Sequence, residues 1–419
     1  MTSEKRLVIL GSSEEFTDLV QLAVSRGIYT VAADGYKGNP AKKYASRAYD
    51  CDIFDVDAVA EICRRERADH ILTAYSDVLF EQSVLIADRA GLPYYLKPEQ
   101  LPQYREKDAQ KALLEKIGIP VTRYRRLRPD FGPADLAGLR FPLVLKPIDG
   151  YGSKGIRVVH NEAELRGAFA EVAASRHSRD ILAEEYCTWP EYNSMAWLAD
   201  GKVYILSVND RERVDQGPDR VPLLSRIVYP SRDLQALYEP VREIYSRFAA
   251  ATGQKDGPLA MQFFWKPGEK PVVCEMAGRC LAYEHELFGM LAGLSLPGLF
   301  LDALYDRDNL HRTLEAYNPF FRTCGAGIYW VADEGEIRDM SSLREIAGWE
   351  GVKDTLLYMR EGDSFTADSY YAYVVRYFIQ AESRRQLDDL TRRMYAAARA
   401  DDAAGRNLLK TFSLPEDRQ

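Results

Sequence analysis

A chain of 419 residues, 46% hydrophobic and 28% charged, has an ordinary globular composition with room for about three domains. Its net charge of −8 and the lack of a long Lys/Arg block argue against nucleic-acid or anionic-membrane partners. No run approaches the ~18 uninterrupted apolar residues of a membrane span, and the apolar start is too short for a signal peptide.

From Arg6, RLVILGSS reads as a buried strand, EEFTDLVQLAVSRG as an amphipathic helix stopped at Gly27, and IYTVAAD as the next strand. VDAVAEICRRERAD, HILTAYSD and VLFEQSVLIADRAGLP continue the alternation as helix, strand and helix. This order predicts a doubly wound parallel sheet, an α/β domain over residues 1–104. KDAQKALLEKIGIP is then a helix from Lys107, closed by Gly118 and Pro120. From FPLVLKPI onward antiparallel strand signals dominate, giving an α+β region. ILAEEYC is a strand, and YNSMAWLADGKVYILSVND is two strands about Asp200-Gly201. PLAMQFFW and PVVCEMAG form another pair, while NDRERVDQGPDRVPLLSRIVYPS between them reads as a substrate loop. In the last hundred residues we expect a hairpin in GAGIYWVADEGEIRDM, a strand in YYAYVVRYFIQA and a helix in SRRQLDDLTRRMYAAARA.

LKPIDGYGSKGI holds a literal G-x-G-x-x-G at Gly150, Gly152 and Gly155. A dinucleotide fingerprint needs those glycines to open a helix. Here Ile156–Val159 is a β-branched strand, and the next helix starts only after Asn161, a good N-cap. The glycines therefore join two strands. A Walker A loop is excluded as well, because the lysine, Lys146, precedes the glycines. What remains is a glycine-rich hairpin over phosphates, or an ordinary surface turn.

The six cysteines are scattered without a C-x-x-C, and the five histidines show no triad or zinc spacing. We expect reduced thiols and a cytoplasmic setting.

With these motifs in place, the chain resembles the ATP-grasp superfamily, in its carboxylate–amine ligase branch (the L-amino-acid ligase and carbamoyl-phosphate-synthase type of fold). The resemblance runs from about Arg6 to the C-terminus in element order and is dense from Lys107 to Arg279. It implies a central two-lobed ATP-binding region over 105–311, with a nucleotide lobe at about 105–190 and a metal and substrate lobe at about 191–311. A small C-terminal α+β domain over 312–419 would complete the fold. Lys107 and Lys146 would meet phosphate, with Gly150, Tyr151, Gly152, Ser153 and Gly155 above it. Glu184, Glu185, Tyr186 and Cys187 would form the hinge that reads adenine through backbone groups, and Glu191 would take the ribose hydroxyls. Gln262 and Glu275 would hold Mg2+, with Mn2+ as a substitute. Ala277 stands where the family pattern has an asparagine ligand. Arg279 and Arg226, the latter from a loop that also carries Arg211, Arg213 and Arg220, would bind the substrate carboxylate or acyl phosphate.

The resemblance thus implies an ATP-dependent ligase that joins a small-molecule carboxylate to an amine through an acyl phosphate, releasing ADP and phosphate. It leaves room for a homodimer. Two alternatives stand beside it: ATP-grasp chemistry on bicarbonate, of the carboxyphosphate or carbamoyl-phosphate type, and a nucleotide-binding regulator whose altered metal motif no longer turns over.

Overall fold

Leu7 and Ile9 face one side of the first strand, Val8 and Leu10 the other, and all four are fully buried. A strand apolar on both faces belongs inside a covered parallel sheet. The computed structural model describes residues 4–148, 155–174, 180–215, 217–281, 284–366, 373–410 and 412–414. In it, β1 (Arg6–Leu10) lies within a parallel sheet ordered β3 (Arg47–Asp50), β2 (Tyr29–Asp34), β1, β4 (His70–Leu72). α1 (Thr17–Ser25) covers the Leu7 and Ile9 face. α2 (Val56–Arg65) and α3 (Asp77–Ala90) cover the Val8 and Leu10 face. The doubly wound expectation holds.

After α4 (Pro102–Arg105) and α5 (Lys107–Lys116) comes a four-stranded antiparallel sheet. Its order is β5 (Tyr124–Leu127), β8 (Ile181–Glu185), β6 (Leu143–Pro147), β7 (Arg157–Val159). α6 (Glu162–Ala174) packs Leu165, Phe169 and Val172 on Leu143 and Leu145. Asn161 Oδ1 accepts the Glu164 amide at 3.0 Å, the expected N-cap bond. β6 and β7 pair antiparallel, so the glycine segment joins two strands. Gly150, Tyr151, Gly152 and Ser153 lie outside the described residues. Gly155 is described, at φ +72°, a left-handed conformation that favours glycine.

The second antiparallel sheet has eight strands. In spatial order they are β13 (Val272–Ala277), β12 (Gly257–Phe264), β9 (Glu191–Ala199), β10 (Lys202–Val214), β11 (Leu223–Tyr229), β14 (Cys324–Val331), β18 (Tyr373–Ala381) and β16 (Val352–Leu357). Asp200 (φ 50°) and Gly201 (φ 81°) make the β9–β10 turn with both central residues left-handed, as a two-residue hairpin of type I′ requires. α7 (Leu234–Thr252) covers one face. α8 (His285–Ala292), α9 (Leu296–Tyr305) and α10 (Arg307–Ala316) join the core that β1 and α1 share with this sheet. Among the described residues no single helix is long and apolar enough to cross a membrane. α8 and α9 reach that length only as a pair bent by 96°.

Three expectations change. The segment read as a substrate loop is mostly sheet, because β10 runs on to Val214 and β11 begins at Leu223. The hairpin expected after Gly325 does not form. β14 pairs with β11 and β18, while β15 (Gly335–Glu336) pairs with β17 (Ser364–Phe365). Burial of Ile337 and Met340 beneath α11 (Ser341–Ala347) and α12 (Arg384–Ala397) draws the chain out of the hairpin path. Finally, β14, β18 and β16 continue the central sheet, so the expected boundary at residue 312 falls between elements that share one sheet.

Candidate active site

A cleft of about 630 Å³ opens between the small sheet and the eight-stranded sheet, a size that suits a small-molecule ligand. On β6, Leu143 and Leu145 go to the α6 core, so period-two alternation turns Val144 and Lys146 into the cleft. Lys146 Nζ donates to Glu184 Oε2 at 3.2 Å and lies 3.9 Å from Cys274 Sγ. Glu184 also accepts from Thr122 Oγ1 at 2.5 Å and pairs with Lys111 Nζ at 3.5 Å. Burial opposes ionisation of Glu184, but Lys111 and Lys146 outweigh it and pull its pKa down to about 2. Burial likewise works against the Lys146 charge, while Cys274 and Glu184 hold its pKa above the usual lysine range. Lys146 is therefore a fixed cation on the cleft wall.

Lys107 enters the same cleft as the first residue of α5. A cation at the positive end of a helix is locally unfavourable. Burial lowers the Lys107 pKa, Glu275 opposing this and Lys146 adding to it. Its ammonium thus sits in the cleft between the Glu275 carboxylate and the Lys146 cation.

The facing wall comes from the eight-stranded sheet. Glu191, at the start of β9, is 4% exposed. It accepts from Arg211 at 2.5 Å, from Arg213 at 2.7 Å and from the Gln262 amide. Gln262 on β12 stands directly across from Glu275 on β13, and both line the cleft. Glu185, Tyr186 and Cys187 line it where the chain leaves β8 for the other sheet, and the Tyr186 amide is tied to the Pro142 carbonyl at 3.0 Å. The Glu185 side chain leans outward to Arg140 at 3.2 Å.

Among the described residues no group of three or more His, Cys, Asp or Glu could hold a metal alone. Glu275 and Gln262 offer one carboxylate and one amide across a strand pair, with Ala277 buried beside them. That donor set fits magnesium only where waters and phosphate oxygens complete the octahedron, which is how magnesium is commonly held.

The two arginines assigned to the substrate behave differently. Arg226 is 1% exposed and outside the cleft. Its guanidinium donates to Glu212 at 2.9 and 3.1 Å, Asp388 at 2.5 Å and Thr391 at 2.8 Å. Strand pairing skips Ser225, with Glu212 opposite Arg226 and Arg213 opposite Leu224. That irregularity turns Arg226 away from the side on which Leu224 lines the cleft, so the substrate role is withdrawn. Arg279 is held by Asp77 of α3 at 2.7 and 2.5 Å, a bidentate tie from the N-terminal domain to the end of β13. Glu275 is among the charges that keep Arg279 protonated, after burial (which opposes) and Asp77. Like Arg226, Arg279 is not among the residues that line the cleft.

Sequence reasoning missed Lys111, one turn after Lys107 on α5, and it missed Glu284, Tyr329, Tyr358 and Tyr373 on the cleft wall. For Lys111 the i, i+4 spacing was a usable signal. The others come from separate elements and carried none.

Residues 139–285 match the ATP-grasp domain family. A Sinorhizobium fredii protein, y4rH, is 25% identical over 304 residues, 71% of this chain and 61% of that one. The formate-dependent phosphoribosylglycinamide formyltransferase of Nitratiruptor is 27% identical over 184 residues, 43% of this chain and 47% of that enzyme. The chain thus spans about half to three fifths of the length of these curated relatives. Among solved structures, L-amino acid ligase from Bacillus licheniformis superposes with a TM-score of 0.80 at 18% identity, covering 96% of this chain and all of the other. The ADP complex of the N5-carboxyaminoimidazole ribonucleotide synthetase purK gives 0.73 at 17% identity, covering 94% and 97%. At such identities the likeness establishes the fold, which is the ATP-grasp fold expected.

Proposed function

We propose that this chain, which carries an ATP-grasp domain, is an ATP-dependent ligase joining a small carboxylic acid to an amine through an acyl phosphate, with release of ADP and phosphate. The observation that carries this reading is the convergence of Lys107, Lys146, Gln262 and Glu275 on one cleft from separate elements. Two half-buried lysines opposite an acidic and amide pair are what a polyphosphate bound with a divalent cation needs.

In this reading the backbone of residues 184–187 meets the adenine, and Glu191 exchanges part of its arginine and amide contacts for the ribose hydroxyls. Lys146 and Lys107 hold phosphate oxygens in line with the substrate carboxylate. Magnesium, held by Glu275 and Gln262, would supply charge neutralisation of the transferred phosphoryl group; manganese could replace it. Arg279, neutralised by its bidentate pair with Asp77, would serve this site only by tying the N-terminal domain to the end of β13. The carboxylate oxygen forms a bond to the γ-phosphorus as the bond to ADP breaks. The amine nitrogen then attacks the acyl carbon, phosphate leaves, and the amine proton passes to solvent. The free cysteines suit a reducing, cytoplasmic setting, and a homodimer is compatible with this scheme.

The test is nucleotide turnover across paired acids and amines. ADP and phosphate released only when both partners are present support the reading. AMP and pyrophosphate sink it, and ADP release on bicarbonate alone moves the chain to carboxyphosphate chemistry.

A further inference from the structure

The cleft continues beyond the nucleotide and metal positions into a region that those assignments leave unused. Glu284, the N-cap position of α8, is 4% exposed with its side chain on the cleft wall. The Tyr229 hydroxyl donates to its carboxyl. Beside it three tyrosines from different segments gather, with Tyr329 and Tyr373 ring centroids 5.6 Å apart and Tyr358 and Tyr373 6.4 Å apart. Leu224 and Met359 complete an apolar surface. Burial pushes the Glu284 carboxyl up to about 8, with Arg211 opposing and Glu286 adding to the rise. Arg211, which bonds Glu191, lines the same cleft as Glu284 and its charge acts on that carboxyl.

Among the described residues no cation is hydrogen-bonded to this carboxyl, so ionising it against the aromatic rings is costly for the fold alone. An amine offers it a charge-assisted hydrogen bond, and tyrosine faces favour both a cationic nitrogen and an apolar substituent.

We propose that this end of the cleft is the amine-substrate site, holding a primary amine at Glu284 and laying an apolar or aromatic substituent against Tyr329, Tyr358 and Tyr373. The proposal rests on the ligase reading for its place in the reaction, but its binding chemistry can be tested separately.

The experiment is calorimetry on the full chain with ADP and magnesium present, using phenylethylamine, methylamine and phenylethanol. Wild type should bind phenylethylamine in preference to both. Glu284→Gln, which keeps a hydrogen-bond partner for Tyr229, should weaken phenylethylamine about tenfold or more while leaving phenylethanol unchanged. Tyr358→Ala, at a residue 37% exposed and so safe for folding, should reduce the preference for phenylethylamine over methylamine. Equal affinity in wild type and Glu284→Gln, or no binding by wild type, overturns the proposal. Binding without ADP release from any acid and amine pair would sink the ligase reading and leave the amine site standing. Turnover with an unchanged amine KM in Glu284→Gln would do the reverse.

Discussion

Lys146 and Glu184 show how one residue pair can prepare a site. Glu184 takes Lys146, Lys111 and Thr122 at once, so the lysine is charged and oriented before any ligand arrives. Lys146→Ala should lower turnover on the order of 10²–10³-fold. Its melting temperature should shift only modestly, since Lys111 and Thr122 still satisfy Glu184. Steady-state rates within a few-fold of wild type would remove Lys146 from the chemistry. Glu191 is also a buried hub, for Arg211, Arg213 and Gln262, so alanine there would remove the carboxylate that these three side chains share. Glu191→Gln is the cleaner variant. It should weaken ADP about tenfold by calorimetry, and unchanged affinity would cancel the ribose assignment. At Glu275, conversion to Gln should raise the magnesium concentration needed for half-maximal turnover, because the one carboxylate in the donor pair is lost. A magnesium titration matching wild type would place the metal elsewhere.

At the scale of elements, Arg226 and Arg384 fasten α12 to β10 and β11. Arg384 reaches Asp210 at 2.7 Å and Glu212 at 2.9 Å, and shares Asp388 with Arg226. Arg226→Ala leaves Glu212 and Asp388 with half their compensation in a buried place and should cost about 3–5 kcal/mol. Urea unfolding measures this, and an undisturbed midpoint would mean that water takes over the pairing. Since β10 also carries Arg211 and Arg213 on its opposite face, this network backs the cleft wall rather than entering it.

Across the whole molecule, two buried carboxyls make stability depend on pH in opposite senses. Glu284 has its pKa raised from 4.5 to about 8. Its contribution is fully present below the unfolded value and is lost as pH rises toward the folded one. The groups facing it are Tyr229 on β11, Arg211 on β10, Tyr329 on β14 and Glu286 on α8. Wild type should therefore lose on the order of a few kcal/mol between about pH 5 and pH 8. Glu284→Gln should flatten that slope, and parallel profiles for the two proteins would exclude Glu284 as its source. Glu184 acts in the other direction. Its contribution is present above 4.5 and is lost as pH falls toward about 2.

By itself the sequence determined much of the local structure and which strand residues line the cleft. Period-two burial at Leu7–Leu10, the Asn161 cap and the Asp200-Gly201 turn are encoded within a few residues, and each formed as read. Lys146 and Gln262 were legible because alternation along one strand decides which side chains face the cleft. Only the tertiary structure decided Arg226, whose direction depends on a pairing irregularity at Ser225 against another strand. Likewise, Gly335–Glu336 joins Ser364–Phe365 because the buried Ile337 and Met340 outweigh a local hairpin signal. Glu284 and its tyrosines come from segments spread along the chain from β11 to β18. Such a juxtaposition has no period and no spacing, because it exists only once the eight-stranded sheet has brought β11, β14 and β18 side by side.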